Sequence, residues 1–458
     1  MTKSALFKFH NLYFIIAGIF GMAFLILTPP FGAGDETARF ERIYEVATGQ
    51  WLGAEGIPKG FLEFRDRSFD KVVAGEAFTA EEILALSDIE MEAETIEPYP
   101  NPLRKALRMN SPVILMHLAP IMSAGLKLGW SPFLIFYLCR LSSLALGLVL
   151  MRKALKILPF QKHTAMLIAL LPTCVFFYGA VSVESAIIGL AFLYFAMVAA
   201  HAREDAPLLT RGQMGKLALI GFLLGQFKAA YFLLPLVALL IPGNKFPTKR
   251  ARFITLTLAF VPAFLINLAW SFIVKEYIMK DFAFSTADSG YIQSSEQFAG
   301  ILSNLFGFAL LLLKNFFSVE FLSFAWQSMI GLLGWTNIPL NPAVYGILGA
   351  TLFLSWFSGE KPVRALSTFP ALGWQGILFG ATIAISLTLL YLQWTAVGAE
   401  KIEGFQGRYF YPILPLLLAA SPLRLSMFAS DKARLILVGS TSSVCLMWAL
   451  MTLAVRYY

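Results

Sequence analysis

The sequence predicts an all-α membrane protein, a polytopic transmembrane bundle of about 11–13 membrane helices, and three observations carry that reading. Of 458 residues, 58% are hydrophobic and only 14% charged, against about 25% charged in soluble chains. Uncharged apolar runs recur along the chain, several of them roughly 18 residues or more and so able to cross about 30 Å of hydrocarbon as helices. Charge is also lopsided: residues 30–111 carry sixteen Asp or Glu and nine Lys or Arg, and the rest of the chain holds 27 basic and 12 acidic residues. Lys and Arg beside helix ends are retained on the cytoplasmic side, so the net charge of +8 reads as membrane topology, with no nucleic-acid partner implied. Soluble enzyme folds are excluded.

Lys3, Lys8 and His10 precede an apolar run over 12–28. This predicts an uncleaved first span with its N-terminus in the cytoplasm, the far side being the periplasm if the cell is Gram-negative; cleavage near Gly32-Ala33-Gly34 is the alternative. The acidic segment 30–111 then lies outside, carrying juxtamembrane amphipathic helices. Thr79-Ala80-Glu81-Glu82 has the form of a capping box and predicts a surface helix to about Glu94. Pro98, Pro100, Pro102 and Pro112 break regular structure on the return to the membrane.

The runs 113–128 and 133–151 cannot both span and still leave Arg152, Lys153, Lys156 and Lys162 inside, so the first is expected to be interfacial or re-entrant. Spans follow at 165–181 and 186–200, with Arg203, Arg211 and Lys216 inside. The stretch 217–241 lies between two basic loops and must enter and leave by one face, as two half-helices meeting near Lys228. Residues 253–274 run outward to a polar loop containing Asp281 and Asp288. The stretch 298–335, interrupted by Lys314 and Asn315, reads as a shallow hairpin or a helix along the outer face. Spans at 344–357, 372–394, 410–420 and 435–454 complete the chain, with Lys361 and Arg364 inside, and residues 1–458 read as a single membrane domain. No solenoid period and no inverted halves are evident.

Cys139, Cys174 and Cys445 lie in apolar runs, which excludes a loop-stapling disulfide or a CxxC metal knuckle. His10, His117, His163 and His201 have no zinc spacing. No cofactor is certain from the sequence, and a divalent cation held by acidic residues is an open alternative.

Charge in hydrocarbon is costly, so charged groups at the outer helix ends are where chemistry is expected. The first place is Pro29-Pro30-Phe31-Gly32-Ala33-Gly34-Asp35-Glu36. A helix from Asp35 would put Asp35, Arg39 and Arg42 on one face and Phe40, Ile43, Ala47 and Trp51 on another, predicting a helix on the membrane surface. Asp35 either caps that helix, with Glu36 complementing its dipole, or serves a site. The second is Ser182-Val183-Glu184, a cap or a ligand contact in the turn between two spans. The third is Lys228, which with Gln226 supplies the only strongly polar side chains of 223–233; it either snorkels or meets a phosphate. The fourth is Gly404-Phe405-Gln406-Gly407-Arg408-Tyr409-Phe410, where glycines permit close backbone approach and Arg408 offers a planar fork. The alternative there is an interface anchor with Tyr409 in the aromatic belt.

Several of these stretches carry a resemblance. Pro29-Pro30 before Asp35-Glu36, Arg42 and Tyr44; Leu170-Leu171-Pro172 ahead of Ser182-Val183-Glu184; Lys228 to Tyr231; Leu333-Gly334-Trp335; and Gln406-Gly407-Arg408-Tyr409-Phe410 together resemble an uncharacterised bacterial family of predicted membrane proteins (domain of unknown function 2142) over nearly the whole chain. The chain departs from that pattern at Ser182-Val183-Glu184, where Ser-Pro-Asp is more usual, and at Ala38, where His is common. The family in turn resembles the C-type (GT-C) polytopic glycosyltransferases, in which an acidic residue of the first outer loop acts on a lipid-linked sugar.

The double resemblance implies a membrane glycosyltransferase at the outer face. It would move a sugar from a polyprenyl-phosphate-linked donor, whose tail lies among membrane lipids, to a cell-envelope glycan, lipid or protein acceptor, as in polysaccharide biosynthesis. That reaction needs a carboxylate to take a proton from the acceptor hydroxyl and cations to neutralise the departing phosphate. Asp35 and Glu36 are the expected catalytic carboxylates. Arg39, Arg42, Arg140, Glu184, Lys228, Tyr231, Gln406, Arg408 and Tyr409 are the expected substrate contacts. A carboxylate at a helix start is pushed toward a low pKa, which favours an electrostatic partner over a strong base. Two other functions fit the same pattern: a transporter or flippase of a lipid-linked saccharide, which predicts repeat symmetry and midplane charges, and a non-catalytic subunit of a polysaccharide assembly complex.

Overall fold

A computed structural model describes residues 8–92, 94–97, 107–275, 283–286, 290–421 and 430–458. Lys3, Pro98, Pro100, Pro102, Asp281 and Asp288 lie outside the described residues. The first apolar run forms α1 (Phe9–Leu27), and the acidic segment opens with α2 (Glu36–Ala47). Apart from Ala47, every residue of α2 is buried, so it is not the surface helix that its amphipathic spacing suggested. Its apolar side packs Phe40 against Phe61 at 4.5 Å. Its charged side is buried as well because each charge finds a partner inside: Glu41 pairs with Arg65, and Glu45 with Arg42 and Arg108.

A two-residue strand, β1 (Ile57–Pro58), leads into α3 (Lys59–Ala74), and the predicted capping box opens α4 (Ala80–Ala85). Thr79 Oγ1 accepts from the Glu82 amide at 3.2 Å, while the Glu82 carboxylate accepts from the Thr79 amide at 2.8 Å. The helix stops at Ala85 and passes into a 3-10 turn at Leu86–Asp88, well short of Glu94. The chain instead turns to pair β2 (Thr95–Ile96) antiparallel to β1.

A 3-10 turn (Pro112–Leu115) and α5 (Ala119–Leu128) occupy the run expected to be interfacial; ten residues rise only about 15 Å. Next comes α6 (Pro132–Ile157), antiparallel to α1, with Arg140 reaching the Thr28 carbonyl at 2.6 Å and Arg152 reaching Asn11 at 2.8 Å. The expected span 165–181 is broken into α7 (Lys162–Ala169) and α8 (Pro172–Tyr178), since Pro172 has no amide to continue the ladder. Every residue of the two except Lys162 is buried.

Beyond α9 (Glu184–His201) and α10 (Arg211–Phe227), the backbone at Lys228 is extended, with φ −149° and ψ 139°. The chain then winds as 3-10 turns over Ala229–Tyr231 and Leu234–Leu240 before α11 (Lys249–Val274). The two halves of 217–241 thus meet at Lys228, but the second half is not α-helical. A hairpin of β3 (Ala283–Thr286) and β4 (Gly290–Gln293) precedes α12 (Ser294–Ser303) and α13 (Leu305–Phe316), which bend by 108° at their junction. They are followed by α14 (Val319–Ile330) and the small hairpin of β5 (Leu332–Leu333) and β6 (Ile338–Pro339). The chain ends with α15 (Pro342–Phe357), α16 (Phe369–Trp394) and α17 (Asp431–Tyr457). Between the last two, 3-10 turns at Gly407–Phe410 and Leu414–Ala420 replace the helix expected over 410–420.

Among the described residues, α1, α6, α9, α11, α16 and α17 are long and apolar enough to cross a membrane, which makes six, or seven if the bent pair counts as one span. The expected 11–13 membrane helices include interfacial and half-helices, and six or seven of the described elements are long enough to be continuous spans. Irregular backbone at membrane depth is tolerated where protein rather than lipid surrounds it, and that is how the short, proline-broken and 3-10 runs are accommodated. The main hydrophobic core extends from Tyr13 to Tyr457, and Trp270 and Val274 form a small separate cluster. The basic loops meet at one end of the bundle, where Arg152 reaches Asn11, Glu360 lies beside His163, Lys245 donates to the Glu204 and Ala206 carbonyls, and Arg434 donates to Ser358. The C-terminal end of α1, the start of α2 and the ends of α10 and α16 face the other way.

Candidate functional site

Residues 28–35 connect α1 to α2 with neither helix nor sheet to receive their backbone groups, and buried polar groups must nevertheless be paired. Side chains from across the chain do this. Arg140 donates to the carbonyls of Leu25, Thr28 and Pro29 at 3.1, 2.6 and 2.9 Å. Ser68 donates to Pro30 at 2.7 Å, Trp335 Nε1 to Phe31 at 2.9 Å, and Tyr457 to Gly32 at 3.0 Å. The Gly34 amide donates to the Gly334 carbonyl at 3.1 Å. The remaining Arg140 donors close on Glu36 at 2.9 and 2.7 Å, so all five are used. Glu36 also accepts from the amides of Ala33 and Val181.

This stapled loop delivers Asp35 with φ 68° and ψ 0°, a left-handed conformation that Asp adopts more readily than most residues. Its carboxylate does not cap α2. It accepts instead from Arg39 Nη2 at 3.0 Å and Arg408 Nη2 at 2.5 Å. Burial alone would raise its pKa, but Arg408, Arg39 and Lys228 outweigh burial and hold it at about 2. Glu184, the first residue of α9, places one oxygen 2.8 Å from Lys228 Nζ, 3.5 Å from Arg39 and 3.8 Å from Arg408 Nε. Ser182 Oγ accepts from both Arg39 and the Glu184 amide. Two carboxylates thus face three cations. Among the described residues, Arg39 Nε and Arg408 Nε and Nη1 are buried donors without a hydrogen-bond acceptor, against one buried acceptor, the second Glu184 oxygen, without a donor.

Lys228 and Arg408 arrive on arms of like construction. Lys228, Tyr231 and Pro235 share their spacing with Arg408, Tyr411 and Pro415, and both segments wind as 3-10 turns away from the cations. The arms touch where the Tyr231 hydroxyl donates to the Tyr409 carbonyl at 3.1 Å. Lys228 lies 4.8 Å over the Tyr409 ring, and Arg408 4.7 Å over Phe177. Gly407 fixes the depth of its arm, because a Cβ there would come within 2.2 Å of the Ala325 carbonyl and the Met329 amide in α14.

A cavity of about 230 Å³ opens on this cluster, and Asp35, Arg39, Arg42, Lys228, Tyr231, Gln406, Arg408 and Tyr409 are among the residues that line it. The side chains of Arg39 and Arg408 are each 3% exposed, Asp35 is 23% and Lys228 19% exposed. Arg42 is held mainly by Glu45 and the Trp51 carbonyl. Three expected site residues do not line the cavity, and one of them, Glu184, is wholly buried behind the cations that do. Glu36 and Arg140 are wholly buried against each other, and with every donor and acceptor engaged they hold the loop and do not reach substrate. Among the described residues no group of three or more His, Cys, Asp or Glu is placed to hold a metal ion. Asp35 and Glu184 are already engaged by cations, so the residues present do not fit a divalent cation. The three cysteines are free and buried.

Sequence reasoning missed Ser182 as an acceptor for Arg39, and missed Asn110, Gln393 and Trp394 as lining residues. The matched spacing of the two arms was a usable signal.

A family model described as "Predicted membrane protein (DUF2142)" matches residues 19–417, and the chain belongs to that family. No curated protein and no solved structure matches the chain.

Two outcomes are expected. Arg140→Leu leaves the buried Glu36 without its counter-charge and the Thr28 and Pro29 carbonyls without the Arg140 donors, and should lower unfolding stability in detergent by about 3–5 kcal/mol; a change under about 1 kcal/mol would mean the loop is held otherwise. Asp35 has a folded pKa below its unfolded value of about 3.9, so its contribution to stability is present above roughly pH 4 and is lost as pH falls toward 2. The stability gap between wild type and Asp35→Asn should therefore stay flat from about pH 7 to 4 and then shrink, and a gap unchanged at about pH 2 would contradict the ion-pair assignment.

Proposed function

We propose that this family member is a membrane glycosyltransferase of C type, taking a sugar from a polyprenyl-phosphate-linked donor and passing it to a cell-envelope glycan, lipid or protein acceptor. The observation that carries the reading is the convergence of Asp35 and three cations, Arg39, Lys228 and Arg408, on one cavity. Buried arginine donors without partners are costly, and phosphate oxygens are the acceptors that suit a guanidinium fork best. The positive-inside tendency supports basic loops in the cytoplasm and a cavity at the outer face of the membrane, where sugar donors are carried on lipids. The charges collect at one end of the bundle, which favours chemistry at a surface over passage across the membrane.

The acceptor hydroxyl oxygen attacks the anomeric carbon. The bond from that carbon to the phosphate oxygen breaks, and its electron pair leaves with the phosphate, whose charge Arg408, Lys228 and Arg39 neutralise. The hydroxyl proton passes to Asp35. In the resting protein Asp35 is too acidic for that task. Once Arg408 and Lys228 turn to the donor phosphate, Asp35 loses part of the field that holds its pKa down and gains an anionic neighbour, and both changes raise its basicity. Glu184 holds the cations in place, and Glu36 with Arg140 holds the loop.

Purified protein incubated with extracted bacterial lipid-linked sugars should transfer sugar. Asp35→Asn and Arg408→Ala should each reduce transfer by about 100-fold or more at unchanged protein yield. Undiminished turnover in Asp35→Asn would remove the base, and labelling of a Gln406→Cys variant only from the cytoplasm would overturn the sidedness.

A further inference from the structure

The cavity has polar side chains beyond the charged cluster. Asn110, Gln393, Gln406 and Trp394 also line it, all of them half-buried. They come from three separate places: the turn before Ser111, the last residues of α16, and the loop leading to Arg408. Elsewhere in the protein, buried amides are spent on structure. Gln297 donates to three carbonyls, Gln375 to two, and Asn315 to those of Leu311 and Glu400. The side-chain amides of Asn110, Gln393 and Gln406 have no hydrogen-bond partner among the described residues.

A primary amide presents a donor and an acceptor in one plane, which matches neighbouring hydroxyls on a sugar, and an indole face suits the C–H side of a pyranose. The glycine at 404, with φ +82°, is what brings loop and indole together, since a Cβ there would lie 2.5 Å from the Trp394 ring. Gln406 stands two residues before Arg408, so a ring attached to a phosphate held by Arg408 falls within reach of this wall. The cavity volume of about 230 Å³ is below the roughly 300–1,000 Å³ of pockets for drug-sized ligands, which suits one monosaccharide rather than an oligosaccharide.

We propose that Asn110, Gln393, Gln406 and Trp394 read the sugar ring of the lipid-linked donor and set which monosaccharide is accepted, an inference that rests on the glycosyltransferase reading above. A site built to bond hydroxyls rejects rings that lack them, because its own polar groups are then left unpaired.

The test is calorimetric titration of the detergent-purified full chain with two kinds of probe. One is polyprenyl methyl phosphate, which has the same charge and tail but no sugar. The other is a panel of polyprenyl phosphates carrying glucose, galactose, mannose or arabinose. Wild type should bind at least one glycosylated probe more tightly than the methyl ester. Gln393→Ala, Gln406→Ala and Trp394→Ala should each weaken that probe by about three- to tenfold while binding the methyl ester as wild type does, which also reports a folded site. Variants that bind the glycosylated probe as tightly as wild type would overturn the proposal and leave the glycosyltransferase reading standing, as would variants that weaken both probes equally. Wild type that binds neither kind of probe would end both.

Discussion

The protein's arrangement depends on how a short piece of irregular backbone is kept dry. Between α1 and α2 the carbonyls of Thr28, Pro29, Pro30, Phe31 and Gly32 point into the protein, where each needs a donor. Arg140, Ser68, Trp335 and Tyr457 supply them. These side chains are themselves placed by α6, α3, the β5–β6 hairpin and α17. Because the loop is satisfied from outside, Asp35 need not cap the helix that follows it, and its carboxylate is free to face the cations.

The cations obey a related logic. Burying Arg39 and Arg408 side by side is tolerable only with counter-charge at hand, and Asp35 and Glu184 provide it from opposite ends of the sequence's first half. The balance is incomplete by one positive charge, and several guanidinium donors have no acceptor. A cluster that is paired well enough to fold but not well enough to be satisfied is suited to admitting an anion. The 3-10 arms contribute through their geometry: at about 2.0 Å of rise per residue against 1.5 Å for an α-helix, a few residues carry Lys228 and Arg408 to the same point from different partners.

What the sequence revealed and what it hid divide along physical lines. Hydropathy marked the long spans, because it is a property of single segments. The four regions singled out for chemistry were legible because a charge in an apolar setting is conspicuous: Asp35, Glu184, Lys228 and Arg408 do meet. The role of Glu36 was not legible. It is the immediate neighbour of Asp35, yet one left-handed residue sends the two carboxylates in different directions, one to the cavity and one to Arg140. The broken run over 165–181 and the 3-10 runs escaped for a different reason. Apolar composition records that a segment is surrounded by nonpolar matter and not whether that matter is lipid or protein. The half-buried amides of Asn110 and Gln393 carried no local signal, since in sequence they look like ordinary loop and helix-end residues, whereas Gln406 stood out through its place in the glycine-flanked motif.

The stapled loop also has a bearing on how the molecule is made. Its donors sit at positions 68, 140, 335 and 457, so contacts of very long sequence separation close around a segment that is synthesised early. Such contacts form late and slowly, and domains emerge from the ribosome N-terminus first. The segment carrying Asp35 must therefore wait, incompletely fastened, through most of membrane insertion. The charged cluster can close once the Arg408 arm has arrived, but the loop that holds Asp35 receives its last donor, Tyr457, only with α17.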